Sequence, residues 1–228
     1  MIINRATNET CHDATGTVVV VDVMRAFTTA AYAFHAGASE ILLVSSVDEA
    51  FALKATYPEA LIMGEVRGLP PEGFDFGNSP LPFETLELNG RRLIQRTSNG
   101  TQGMVRSQNA DLLLAGGFPT AGATARYIQQ QAISPVTFVI TGLSERTDGD
   151  EDAAYADYVE ALLREESPDP QPYLNRVRDS WPGRLFANPD KPDYPSIDLD
   201  YATTVDAFDF VMAVEKKDEL LIMKRVEY

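Results

Sequence analysis

The feature that most limits the folds open to this chain is the run Thr17-Val18-Val19-Val20-Val21-Asp22-Val23, in which every residue but Asp22 is β-branched. A strand with one wet face alternates apolar and polar residues. An uninterrupted β-branched run instead suits a strand buried on both faces, as in a parallel sheet covered by helices. An alanine-rich segment, Arg25 to His35, follows and stops before Gly37, the residue type that most readily takes the left-handed conformation just past a helix. The pattern then repeats. Ile41–Val44 reads as a strand, Val47–Tyr57 as a helix with Asp48 and Glu49 in its first turn, and Ala60–Met63 as a third strand. Such alternation predicts βαβ units and an α/β fold, with mostly parallel sheets and flanking helices.

From residue 64 to 82 the chain is rich in Gly and Pro, and a loop that long inside a compact domain tends to be functional. Strands are then predicted at Leu93–Arg96, Leu112–Ala115 and Val136–Ile140, and helices at Gly100–Ser107, Ala121–Gln131 and Asp152–Glu165. Seven prolines between Ser167 and Tyr201 predict short helical pieces in an irregular excursion. Phe208–Val214 and Leu220–Val226, separated by Glu215–Glu219, read as an antiparallel C-terminal hairpin. A chain of 228 residues is long enough to bury a full core. It is expected to form one unit, with 1–102 and 103–228 as possible α/β subdomains.

The formal net charge is −15, and the acid excess lies late in the chain: residues 1–140 hold 9 Lys and Arg against 13 Asp and Glu, residues 141–228 hold 10 against 21. Such a surface repels polyanions, which argues against nucleic acid or an anionic membrane as partner and leaves room for a small anion in a locally basic pocket. No apolar run approaches the roughly 20 residues of a membrane span. Met1–His12 is polar where a signal peptide would be apolar, and Cys11 has no second cysteine to pair with. The expectation is a soluble cytoplasmic protein, with a homodimer as a possible assembly. His12 and His35 are too far apart for a metal cluster; His35 is expected at an interface and Trp181 as a packing anchor.

Asp22 near the end of a predicted strand and Arg25 at the start of the next helix lie where open α/β sheets bind ligands. An acid beside an arginine suits metal-assisted phosphate chemistry, although Asp22 is also placed to cap the helix. Gly64-Glu65 supplies a second carboxylate at a strand end, with Arg67 after it. Gly77-Asn78-Ser79-Pro80 is either a ligand-contacting turn or one that satisfies only itself. Thr97-Ser98-Asn99-Gly100-Thr101, between Arg96 and a helix, is either an anion cradle of backbone N–H groups or a capped helix entry. Glu151-Asp152 sits near a helix start, where capping competes with a role at a metal or water.

Taken together, Val19-Val20-Val21-Asp22-Val23-Met24-Arg25-Ala26, Gly64-Glu65, Gly73-Phe74-Asp75-Phe76-Gly77-Asn78-Ser79-Pro80, Thr97-Ser98-Asn99-Gly100-Thr101 and Glu151-Asp152 resemble the 2-phosphosulfolactate phosphatase family. The match in order and spacing weakens between Ser167 and Tyr201. The resemblance implies a magnesium-dependent hydrolase that removes phosphate from 2-phospho-3-sulfolactate, a step in coenzyme M biosynthesis. Carried over by position, Asp22, Arg25 and Glu65 are the catalytic candidates and Asp22, Glu65 and Asp152 the Mg²⁺ candidates. Asn78, Ser79, Thr97, Asn99, Gly100 and Thr101 would complete the substrate pocket, with Arg67 or Arg96 meeting the sulfonate or carboxylate. The family pattern has Arg directly after Gly-Glu; here Val66 intervenes. The favoured chemistry is attack of a metal-assisted water, with an aspartyl-phosphate at Asp22 ranked lower because no second acid follows two residues on. The alternatives are another small phosphomonoester as substrate, or a non-catalytic phosphoanion-binding protein.

Overall fold

The computed structural model describes residues 1–144 and 147–228. The chain runs through β1 (Ile3–Thr7), β2 (Thr17–Val21), α1 (Ala26–His35), β3 (Glu40–Val44), α2 (Val47–Thr56), β4 (Leu61–Gly64), β5 (Arg92–Arg96), α3 (Gly100–Arg106), β6 (Leu112–Gly116), α4 (Ala121–Gln131) and β7 (Val136–Ile140). The short pair β8 (Leu143–Ser144) and β9 (Thr147–Asp148) follows, then α5 (Asp150–Leu163), α6 (Gln171–Asp179), α7 (Trp181–Phe186), α8 (Ile197–Ala202) and the hairpin β10 (Val211–Lys217) and β11 (Leu220–Val226).

Nine strands form one sheet in the order β1-β7-β2-β6-β10-β11-β3-β5-β4. All five residues of β2 are buried, as the β-branched run predicts for a strand hydrogen-bonded on both sides, by β6 and β7. The sheet holds two parallel blocks, β1-β7-β2-β6 and β3-β5-β4. The terminal hairpin joins them, antiparallel to β6 on one side and to β3 on the other.

That wedge changes how the strand ends meet. With three antiparallel junctions between the blocks, β4 and β5 run opposite to β2 along the ladder, so a flat sheet would put Asp22 and Glu65 on opposite edges. Strand ends on one parallel edge therefore do not account for the site, yet Asp22 and Glu65 lie within electrostatic reach of each other. Twist of about 20–25° per neighbouring pair turns the second block by roughly 80–100° over the four steps from β2 to β3. Both blocks then pack on α1, whose Ala30 and Phe34 share a buried cluster with Val18 and Val20 of β2, Ile41 of β3 and Leu93 of β5. Gln95 of β5 donates from Nε2 to Ala26 O at 2.9 Å, fixing the end of β5 at the start of α1.

Other departures from the sequence expectations have local causes. Strand β1 is missing from the reading because Ile3-Asn4-Arg5-Ala6-Thr7 has no apolar period; it lies at a sheet edge, paired only with β7. The first hairpin strand starts at Val211 instead of Phe208, because Phe208 N and Asp206 N bond Pro119 O and Phe118 O. It also extends through the charged Glu215-Lys216-Lys217, and the turn is only Asp218-Glu219, both at positive φ, as tight hairpin turns require. Trp181 is 52% exposed and no packing anchor. His35 stacks on Phe208 with ring centroids 4.6 Å apart.

Candidate active site

Asp22 leaves the sheet one residue beyond β2 and meets the starts of two helices. Its Oδ1 accepts from Ala26 N–H at 2.9 Å, at the head of α1, and the Gly100 N–H at the head of α3 favours its charged form. Helix starts carry unpaired donors and partial positive charge, which suits an anion there. Burial nevertheless pushes the Asp22 carboxyl up to about 6; the two N–H groups and Arg25 pull it down while Glu65 adds to the rise. The capping reading of Asp22 is thus true of the geometry, and the residue caps α1 while standing among other acids.

The approach of α3 requires glycine. A Cβ on Gly100 would lie 2.8 Å from Asp22 Oδ2 and 2.9 Å from the Ala26 Cβ. Gly100→Ala is expected to push α3 off Asp22, lowering stability by about 1–3 kcal/mol through overpacking and activity by at least about tenfold. Thermal melts and initial rates of the variant check this, and unchanged values for both would remove the contact from the account.

Glu65 follows β4 at a second place where only glycine precedes it comfortably: Gly64 has φ +135° and its Cβ would fall 1.9 Å from Arg96 O. Glu65 Oε1 accepts from Ser98 N–H at 2.5 Å, and Oε2 accepts from Gly68 N–H at 2.5 Å and Ser98 Oγ at 3.1 Å. The carboxylate thus ties the 65–68 turn to the end of β5. Arg96 Nη1 donates to Glu65 O at 2.7 Å, and its buried Nε has no partner among the described residues. Arg67, at φ +54°, has an exposed side chain.

The N–H groups read as an anion cradle hold the protein's own oxygens instead. Ser98 N–H donates to Glu65, Gly100 lies against Asp22 Oδ2, and Thr97 and Thr101 each donate N–H to the other's Oγ1 at 2.9 and 3.0 Å. Both threonines are fully buried and build the turn. Asn99 is exposed and its side chain makes no cap hydrogen bond.

From the other side come the acids of α5. Asp152 Oδ1 accepts from Val23 N–H at 2.9 Å, and Oδ2 from Gly142 N–H at 2.8 Å and Thr141 Oγ1 at 3.2 Å. It cross-links the ends of β2 and β7 and does not cap its own helix. Burial first, then Glu151 and Asp22, holds its carboxyl well above the usual range. Glu151 is buried, and its Oε2 has no hydrogen-bond partner among the described residues. Burial, with Asp22, Asp148 and Asp150 adding, pushes its carboxyl up to about 7. The sequence reading singled out Asp152 of this pair; the signal for Glu151 was the adjacent acid, which helix-start statistics explained away.

Arg25 is buried beside this cluster, after a cis Met24–Arg25 peptide bond. Its Nη1 donates to Asp198 Oδ2 at 2.7 Å and its Nη2 to Gly68 O at 3.1 Å. Ser79 Oγ donates to Asp198 Oδ1 at 2.6 Å, and the buried Oδ1 of neighbouring Asn78 has no partner among the described residues. Among the described residues no three His, Cys, Asp or Glu side chains form a ready-made metal cluster. A cavity of about 650 Å³ lies away from these groups, between α2, α3 and the terminal hairpin.

A family model described as 2-phosphosulpholactate phosphatase matches residues 3–178. The chain belongs to the 2-phosphosulpholactate phosphatase family. It is 36% identical over 209 residues to a probable 2-phosphosulfolactate phosphatase of Bacillus subtilis, covering 91% of each chain. It is 40% identical over 152 residues to the protein of the same description from Carboxydothermus hydrogenoformans, covering 65% of this chain and 61% of that one. As a member of the 2-phosphosulpholactate phosphatase family the chain is a phosphoric monoester hydrolase. The family match contains Asp22, Arg25, Glu65, Glu151 and Asp152 and ends before Asp198. No described helix is long and apolar enough to cross a membrane.

Proposed function

We propose that the chain is a Mg²⁺-dependent phosphatase acting on a small phosphorylated acid, 2-phospho-3-sulfolactate, to release 3-sulfolactate and phosphate. The observation that carries this reading is the crowding of Asp22, Glu65, Glu151 and Asp152 beside the Arg25 guanidinium, with three of the four carboxyls raised in pKa by burial and by neighbouring acids.

The donor set fits a hard cation. It is all oxygen, its negative charge is poorly compensated, and Glu151 Oε2 has no partner among the described residues. Magnesium is commonly held by one or two carboxylates, waters and the substrate's phosphate, so a complete protein cage is not needed. Asp22, with Glu65, Glu151 or Asp152, would hold it, and when bound it would polarise a phosphoryl oxygen and acidify a water. The chain's own residues do the rest. Arg25 offers planar N–H donors to the phosphoryl oxygens, where charge spreads in the transition state. Asp22 Oδ1 is held by the Ala26 N–H and Oδ2 lies against the Gly100 backbone, which suits a fixed anion better than a nucleophile. The unpartnered Arg96 Nε, with Arg67 nearby through its N–H to Ser98 Oγ, supports a place for the second anionic group of such a substrate.

The test is phosphate release from a panel of phosphorylated hydroxy acids, with product identification and with chelator in parallel. The expected result is preferential hydrolysis of 2-phospho-3-sulfolactate, abolished by chelation and restored by Mg²⁺. Binding of the panel without turnover would replace this reading with the phosphoanion-binding one.

A further inference from the structure

Arg25 is too buried to be steered by solvent, and the groups that fix it come largely from the Pro-rich excursion. Asp198 on α8 is fully buried and paired to Nη1 at 2.7 Å, with its other oxygen held by Ser79 Oγ. The ring of Phe186, at the end of α7, lies 4.6 Å from the guanidinium carbon. Gly68 O takes Nη2 from the opposite loop. We propose that Asp198 is the positioning residue for Arg25, so that segment 180–202, beyond the family match, forms a working wall of the phosphate site.

The inference rests on the reading that Arg25 meets the substrate's phosphoryl group. A guanidinium has five N–H donors in a rigid plane. One contact to Asp198 and one to Gly68 O hold that plane while leaving donors for a phosphate. A buried ion pair adds little net stability compared with apolar packing, whereas fixing a long side chain before the ligand arrives removes an ordering cost from binding. Because Ser79 orders Asp198, the Asn78-Ser79 turn then acts on the ligand through two intermediaries, not by direct contact.

The experiment is calorimetric titration of inorganic phosphate, in Mg²⁺, into the full chain and into Asp198→Asn, Ser79→Ala, Arg25→Lys and the Asp198→Asn/Arg25→Lys double variant. Asp198→Asn is expected to weaken phosphate about 10–100-fold, the coupling typical of contacting groups in one network, and to raise KM more than it lowers kcat. Ser79→Ala is expected to weaken it by roughly threefold to tenfold, and the Asp198→Asn effect is expected to shrink to within about threefold once Arg25 is Lys. Unchanged affinity in Asp198→Asn with a normal melt, strict additivity in the double variant, or no phosphate binding to the wild type overturns the proposal. Where Asp198→Asn does not fold, Ser79→Ala decides in the same way. Calorimetry needs no turnover, so failure of the phosphatase reading would leave the Arg25–Asp198 coupling in place, whereas failure of this inference removes it.

Discussion

Asp22→Asn is expected to lower kcat by about 10²–10⁴-fold, the range lost when a group acting directly on charge or protons in the transition state is removed. If Asp22 served only as a cap, Asn would be nearly as good. The geometry says more, because Asp22 Oδ1 accepts from Ala26 N–H while Oδ2 lies against Gly100 at the start of α3, and a carboxamide has only one acceptor. Turning the amide NH₂ toward Gly100 costs about 1 kcal/mol. Removing one charge from a site shared with Glu65, Glu151 and Asp152 offsets it, so the melting temperature should move by only a few degrees, by the roughly 2–4 °C per kcal/mol of a chain this size. Initial rates and thermal melts on the same preparation check both statements. A folded variant with wild-type turnover would retire Asp22 as the catalytic carboxylate and move the role to Glu65 or Glu151.

Arg25→Lys should lower kcat/KM by about 10²–10³-fold although the charge is conserved. Arg25 reaches Asp198 Oδ2 and Gly68 O with separate nitrogens and packs its plane against Phe186. A lysine ammonium is a point charge that reproduces one such contact at a time, so the donors directed at a phosphate are lost with the plane. Steady-state kinetics of the variant measure this, and near-normal kcat/KM would take Arg25 out of the phosphate site.

Much of the scaffold was legible because burial periods are local. The β-branched run of β2, the alanine-rich α1 and the terminal strands all declare their surroundings within a few residues. Asp22, Glu65 and Gly100 could be singled out because strand ends and helix starts are places where an acid or a glycine needs a reason. How they meet was not legible. The β10–β11 hairpin reverses the second block, and no pattern between Val211 and Val226 says that it inserts between β6 and β3. The partners of the turn residues were hidden for a related reason: whether the N–H of Ser98 or Gly100 meets a substrate or a carboxylate of the protein depends on contacts 33 residues away in one case and across two strand blocks in the other. Asp198 had no signal at all, being one acid of Ile197-Asp198-Leu199-Asp200 in a segment read only as irregular, and its importance comes from lying against Arg25.

The central claim is that the acids around Asp22 hold a divalent cation used in phosphoester hydrolysis. Its most direct test is calorimetric titration of Mg²⁺ into the metal-stripped chain and into Asp22→Asn, in parallel with phosphate release from 2-phospho-3-sulfolactate by both. The account predicts that the wild type takes up Mg²⁺ and gains turnover over the same concentration range, while the variant loses both. Wild-type turnover in excess chelator, or equal Mg²⁺ binding by the two chains, would contradict it.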